Sequence, residues 1–371
     1  MSKNKKVLIA FLGNINYDSR CRNLFDTLAA NGFEVEFVGF DWLTKDFTPV
    51  EGNITIHKLK KRRFSLLFYF SFIYHLKIHL LKSHASIIFA EDIYTLPFAV
   101  AIGKLKHAKI YYDSRELFGY LAGLKDRKFV QGFWRFIEKI FIRHADYIIT
   151  TGKMDSEVLH EMYNISNTIV LRNLPRYYKP QKKVDLRTQL GIDAGEKILL
   201  YQGGILKGRG IKIILDALKE LPGFTAVIVG GGEFENYYKK MTLDYDLVDR
   251  VFFAGKFEQN DLAKLTPSAD IGVALIENIS KSYYYALPNK LFEYIMAEIP
   301  VLVSNLPQMK QVIDEYEVGI AVNPNDKEEV KDALKKLATD KNLYNKFKLN
   351  CKTASEKLNW ENEIQNLLSY L

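Results

Sequence analysis

The sequence predicts an α/β fold built from two doubly wound parallel sheets, and three observations carry that prediction. Short β-branched runs alternate with stretches long enough for a helix from one end of the chain to the other. A chain of 371 residues is long for one core, so two domains are expected. The alternation is interrupted at RNLPRYYKPQKKVD (172–185), where two prolines and a polar basic run read as a linker.

Taken in order, the strand candidates of the first half are KVLIAFL, EVEFVGF, ITIHKL, SIIFA, KIYYD, DYIIT and TIVL. The second half offers KILLYQ, TAVIVG, RVFFAG, IGVAL, PVLVS and GIAV. The start, MSKNKKVLIAFLGNIN, has the basic-then-apolar order of a signal peptide. Its apolar part is short and no small-residue cleavage site follows, so Val7 to Leu12 reads as a first buried strand. From Asn342 through Trp360 to Leu371 the pattern is helical without further strands. The expected organisation is a first domain over 1–175, a second over 176–345, and a C-terminal helix over 346–371 that can return to the first domain. Open parallel sheets bind ligands at the carboxyl ends of their strands, so two facing sheets are expected to hold a ligand in the cleft between them.

A composition that is 48% hydrophobic and 26% charged is that of an ordinary globular protein. Cys21 and Cys351 lie far apart and form no C-x-x-C pair, so neither a zinc site nor a disulfide framework is suggested, and a reducing, cytoplasmic setting fits. The net charge of +8 is unevenly placed: residues 1–175 carry 25 Lys and Arg against 17 Asp and Glu, whereas residues 176–371 carry 27 of each kind. A basic surface suits nucleic acid, anionic lipid or acidic substrates, and composition does not choose among them. The segment 58–84 joins a basic cluster to an apolar stretch too short for a comfortable membrane span. As a helix it is expected to bury Leu66, Leu67 and Phe70 against the sheet. Phe64, Phe68 or Phe72 would then be offered, with the basic cluster, to a membrane face; a buried helix with a solvated basic start is the alternative.

The stretch ALPNKLFEYIMAEIPVLVS (286–304) carries a helix entrance at Pro288 and Asn289, with asparagine expected as the cap. Leu291, Phe292, Ile295 and Met296 recur at helical spacing and should face a core. Glu293 is expected in the first turn, close to unpaired N–H donors that attract phosphate. The competing reading is a capped helix followed by a buried strand.

PNKLFEYIMAEIPVLVS, YQGGILKGRG, AEDIYTLP, YYDSRELF and NINYDSR together resemble the family 4 nucleotide-sugar glycosyltransferases of GT-B architecture, in their P-N-K-L-F-E-Y form. The resemblance covers nearly the whole chain in the expected order, with RNLP closing the first domain and ADIGVAL preceding the donor loop. It implies two Rossmann-like domains facing across a cleft. It also implies a retaining transfer of a sugar from a nucleotide-diphosphate-sugar to a hydroxyl of a glycan or lipid-linked glycan. The nucleotide-sugar is then a co-substrate, and neither a cofactor nor a metal is implied. In such enzymes the departing phosphate itself helps to deprotonate the incoming hydroxyl, and the protein stabilises the diphosphate and aligns the substrates.

By the same resemblance Glu293 matches the second glutamate of a Glu-x7-Glu element, which binds the ribose hydroxyls. Tyr285 stands at the first position, a departure that affects the sugar contacts rather than the nucleotide. The backbone N–H groups of Asn289, Lys290 and Leu291 are expected to meet the diphosphate. In YQGGILKGRG, Gly203 and Gly204 let the backbone approach a ligand, and Arg209, just before Gly210, matches the cation that neutralises the departing diphosphate. Lys207 is a second cation there; a surface turn with two solvated cations is the alternative. VGGGEF (229–234) brings Gly231, although many such turns need glycine for geometry only, and Glu233 reads as a first-turn charge. The FAGKF turn, ending at Phe257, resembles the loop that seats the nucleotide base through backbone atoms.

In the first domain Gly13 can bring N–H groups near the phosphates and Asp18 reads as a helix cap, while Arg20 faces the cleft or pairs with a surface acid. Glu91 and Asp92 either contact the acceptor or cap the helix that includes Pro97. Where related sequences read D-x-H-E, this chain has Arg115, which stays protonated and cannot be a general base. It can hold phosphate or a sugar hydroxyl with Asp113 and Glu116 as partners, or belong to a structural ion-pair cluster. Three other readings stay open. Tyr285 and Arg115 motivate a catalytically silent binding or scaffold protein. A sugar-nucleotide epimerase shares the architecture but does not usually carry the P-N-K-L-F-E-Y pattern. Nucleic-acid binding lacks a recognition helix, finger or single-strand platform.

Overall fold

The computed structural model describes residues 5–42, 52–60, 65–124, 127–181, 184–257 and 259–371. They divide into two compact units, 1–172 and 173–371, at the first residues of the predicted linker. Within the first unit the strands are β1 (Lys6–Ala10), β2 (Glu34–Asp41), β3 (Ile54–Lys58), β4 (Ile87–Ala90), β5 (Lys109–Ser114), β6 (Tyr147–Thr150) and β7 (Thr168–Val170). They form one parallel sheet in the order β3-β2-β1-β4-β5-β6-β7. The second unit contributes β8 (Lys197–Gln202), β9 (Phe224–Val229), β10 (Val251–Gly255), β11 (Ile271–Ala274), β12 (Val301–Ser304) and β13 (Gly319–Val322). These are also parallel, in the order β10-β9-β8-β11-β12-β13.

All thirteen β-branched runs of the sequence become strands. Sheets covered by helices on both faces are buried on both faces, which is why the runs are apolar throughout instead of alternating. β4, β9, β11 and β12 are buried along their whole length. In each sheet the winding reverses at one place, between β1 and β4 in the first and between β8 and β11 in the second. Such switch points open a crevice at the strands' carboxyl ends. There lie Gly13, Glu91 and Asp92 in one unit, and Gln202, Gly203 and Gly204 in the other.

The C-terminal helices belong to the second unit. The helix Lys341–Ser355 packs on the helix Asn289–Met296, and the Trp360 N–H donates to the Pro175 carbonyl at 2.8 Å.

In the first unit the helices α1 (Ser19–Ala30), α2 (Ser65–Lys82), α3 (Leu96–Leu105) and α4 (Lys128–Phe141) cover the sheet, and α3 packs against both α2 and α4. The expected facing of α2 is reversed. Phe72, Leu76 and Leu80 are its buried stripe, with Phe72 edge-on to Phe40 at 4.7 Å, whereas Leu66 (70% exposed), Leu67 (56%) and Phe70 (66%) look outward. The helix is apolar nearly all round, so hydrophobicity alone does not fix which side is inside. Phe68 is half-buried against Trp42; Phe64 and residues 61–63 of the basic cluster lie outside the described residues. Among the described residues no helix is long and apolar enough to cross a membrane.

Candidate functional site

In the second unit the polar cluster forms where β8 ends and the helix Asn289–Met296 begins. Leu291, Phe292, Ile295 and Met296 are fully buried, as their spacing requires. Tyr294 fixes the register: its hydroxyl donates to the Leu200 carbonyl at 2.9 Å and accepts the Gln202 N–H at 3.0 Å. One residue earlier, Glu293 accepts a hydrogen bond from the Gln202 side-chain amide, whose own oxygen accepts from the Thr266 hydroxyl at 3.0 Å. Two expectations are corrected here. Pro288, not Asn289, is the N-cap, and no side chain caps the helix. Glu293 lies beyond the first turn, because Asn289 is already helical. The Leu291 N–H donates to the Pro288 carbonyl at 3.1 Å, which leaves the N–H groups of Asn289 and Lys290 as the open pair.

The glycine loop closes over this helix start. Gly230 has φ 141°, and a side chain there would meet the Gly203 carbonyl at 1.9 Å, so the turn containing Gly231 lies directly on the Gly203–Gly204 loop. Gly210 has φ 87°, and a Cβ would stand 2.0 Å from the Leu275 carbonyl; only glycine lets the following helix, Ile211–Leu218, start there. Arg209 is half-buried: its Nε donates to the Tyr283 hydroxyl at 3.0 Å and its guanidinium lies 4.5 Å above the Tyr283 ring. Lys207 is exposed, and its carbonyl accepts from the same hydroxyl at 3.4 Å.

The Lys290 side chain, which sequence reasoning passed over in favour of its N–H group, is buried at 7% exposure, 3.6 Å above the Tyr201 ring. Its Nζ has no hydrogen-bond partner among the described residues. Burial, and then the charge of Arg209, push it well below the usual lysine range, against a smaller opposite pull from Glu293. The lone signal in the sequence is a lysine set directly before the apolar pair Leu291 and Phe292 at a helix start. Tyr285 follows the short helix Lys281–Tyr284, stacked edge-on with Tyr284 at 4.9 Å, and its carbonyl accepts from the Gln308 amide. Phe257 is exposed just after β10.

The first unit brings its candidates together differently. Arg115 donates to Asp18 (2.6 Å) and Glu91 (2.6 Å) and lies 4.4 Å above the Phe11 ring. Its partners are not the expected Asp113 and Glu116. Asp113 is taken by Arg20, which grips both its oxygens at 2.5 and 3.1 Å and donates to the Leu171 carbonyl; Glu116 is exposed. Arg20 is therefore a buried framework residue, neither facing a cleft nor paired at the surface. Asp18 caps α1 through the Cys21 N–H at 2.8 Å. Asp92 accepts the N–H groups of Leu12 (2.6 Å) and Thr95 (2.8 Å), so it closes the turn before α3. Burial, reinforced by Asp113, raises Glu91 to about 7 despite Arg115. Burial alone would lower Arg115, but Asp18, Cys21, Glu91 and Asp113 hold it well above its ordinary value. The Gly13 carbonyl, at the end of β1, accepts the Phe40 N–H at 2.9 Å.

Residues 182–354 match the family described as glycosyl transferases group 1. The chitobiosyldiphosphodolichol beta-mannosyltransferase of Candida glabrata is 24% identical over 100% of this chain and 91% of its own. The alpha-monoglucosyldiacylglycerol synthase of Streptococcus pneumoniae is 22% identical over 50% of this chain and 43% of its own. These matches support a group 1 glycosyltransferase. Among solved structures, sucrose-phosphate synthase from Thermosynechococcus elongatus has a TM-score of 0.82 at 19% identity, covering 99% of this chain and 98% of that one. Anabaena HepE, in complex with UDP and glucose, has a TM-score of 0.75 at 15% identity, covering 99% and 100%. At such identity the likeness is one of fold, and that fold is GT-B with two Rossmann-like domains.

Proposed function

We propose that this protein is a retaining glycosyltransferase that moves a sugar from a nucleotide-diphosphate-sugar to a hydroxyl of a glycan or lipid-linked glycan. The observation that carries the reading is the junction at the end of β8, where an uncapped helix start, Arg209 and Glu293 are held around a glycine loop. The open N–H groups of Asn289 and Lys290 and the guanidinium of Arg209 suit a diphosphate, since a helix start favours anions. Glu293, oriented by Gln202, suits the ribose hydroxyls. Stabilising the departing diphosphate is then the main electrostatic contribution, and Tyr283 holds Arg209 ready for it. Lys207 adds a mobile charge at the rim, Tyr285 borders the sugar, and Phe257 borders the base.

Retention is what the resemblance of the motifs implies, and three carboxylates at the first unit's switch point agree with it. Asp18 and Asp92 are committed to N–H groups and Arg115, and Glu91 is fully buried, so none of them is placed to take a proton from an acceptor. Transfer through the leaving phosphate requires no such base.

A lipid-borne acceptor is supported by the outer face of the α2–α3–α4 layer. α4 exposes Phe129, Phe133, Phe136 and Ile140 at helical spacing, flanked by the exposed Lys128, Arg135 and Lys139; α2 adds Leu66, Phe70 and Tyr74. Apolar side chains ringed by cations fit the surface of an anionic membrane, where the protein would work peripherally.

The test is a panel of UDP- and GDP-sugars with free and lipid-linked glycans, read by product mass and by the anomeric NMR signal. Arg209→Ala and Glu293→Ala should each lower turnover at least about a hundredfold, in the range seen when a charge-stabilising group is removed. Nucleotide binding without transfer from any donor would favour a silent protein, and an inverted product would remove the retaining assignment.

A further inference from the structure

The ammonium group of Lys290 has no polar partner among the described residues, which for a side chain at 7% exposure is an unusual state. Buried charges are ordinarily paired, because desolvation is otherwise uncompensated. Here the ring of Tyr201 supplies the nearest compensation, at 3.6 Å from its centre. Arg209, whose charge reaches Lys290, makes matters worse, and Glu293, the acid that acts on it, is hydrogen-bonded to Gln202 instead.

The buried Nζ lies under the glycine loop. A Cβ built on Gly203 would stand 3.4 Å from Lys290 Cε and 3.5 Å from Nζ, so the ammonium lies directly beneath this residue. Gly203 and Gly204 are both exposed. Gly203 has φ 125°, a conformation that side chains rarely adopt, so the place above the ammonium is covered by bare backbone alone. Lys290 itself also supplies one of the two open N–H groups at the helix start. An anion entering at the glycine loop would meet the N–H of Lys290, its ammonium and Arg209 together.

We propose that Lys290 binds the diphosphate of the nucleotide-sugar through its side chain, as a buried amine left unpaired in the free protein and paired by the ligand. This rests on reading the second unit as the donor site. A diphosphate would supply the acceptor oxygens that Nζ lacks and would offset the repulsion from Arg209. The strongly lowered proton affinity of the free lysine agrees with this, since burial and Arg209 both act against the charge until an anion arrives.

The experiment uses the full chain, with UDP and GDP as probes in titration calorimetry at pH 8, beside thermal unfolding without nucleotide. Lys290→Met should bind the better of the two nucleotides at least about tenfold more weakly, the range expected for one charge-assisted hydrogen bond. Its Tm in the absence of nucleotide should equal or exceed that of the wild type, because a buried polar group without a partner has been removed. A loss of affinity below fivefold would overturn the assignment while leaving the donor reading intact. A tenfold loss accompanied by a lowered Tm would make Lys290 a packing residue and overturn it too. If neither nucleotide binds the wild type, the donor reading itself falls, and this proposal with it.

Discussion

Each unit withdraws a cation of the sequence's candidate set from solvent, Lys290 fully and Arg115 in part, and the two are treated in opposite ways. Arg115 in the first unit has Asp18 and Glu91 at 2.6 Å and an aromatic face beneath it, so only its Nε lacks a bond. Lys290 in the second has an aromatic face and no acceptor among the described residues. Beside Arg115, Arg20 and Asp113 form a second closed pair. A cation held by its own carboxylates has little left for a ligand, here Arg115 Nε beside Glu91 Oε1, and removing a partner exposes the full desolvation cost. One enclosed without them already bears that cost and gains most when an anion arrives. The difference separates a framework cluster in the first unit from the cluster proposed to bind in the second.

Breaking the closed pair should give the largest effect. Asp113→Ala leaves Arg20, at 2% exposure, uncompensated and should lower unfolding free energy by about 3–5 kcal/mol in urea titration. A change below about 1 kcal/mol would erase the contrast with Lys290→Met.

The next effect is a pH dependence. Glu91 has its folded-state value raised from 4.5 to about 7, so the native protein holds a proton that the unfolded chain has released. That contribution is full below pH 4.5 and is lost as pH rises toward about 7, at roughly 1.4 kcal/mol per unit. Stability of the wild type relative to Glu91→Gln should therefore fall by about 3 kcal/mol across that window. A flat difference would mean that Arg115 holds Glu91 ionised throughout.

Smaller again is the membrane term. Phe129→Ser with Phe133→Ser should reduce sedimentation with anionic vesicles about tenfold and leave stability within about 0.5 kcal/mol, since both side chains are exposed. Equal sedimentation would remove the membrane contact proposed for this face. Smallest is Arg115→Lys, which should change UDP and GDP affinity less than about twofold, because the arginine's charge is spent on Asp18 and Glu91. A tenfold loss there would dissolve the distinction between the clusters.

Much of the fold was legible because its signals are local. Each of the thirteen β-branched runs carries its own strand propensity, the glycines of YQGGILKGRG mark a backbone that side chains cannot follow, and Pro288 marks a helix start wherever it is placed. The facing of α2 was not legible, because a helix apolar on every side takes its orientation from Phe40 across the gap. Nor were the partners of Arg115, which come from positions 97 and 24 residues away and were mistaken for its sequence neighbours.

By itself, then, the sequence determined the elements, their order and the places where glycine or proline must stand. These follow from the backbone preferences of single residues and short periods. Tertiary structure alone decided which charges are paired. That outcome depends on the strand order, which sets Glu91 and Asp18 against Arg115 at one switch point and leaves Lys290 at the other with a ring and no carboxylate oxygen.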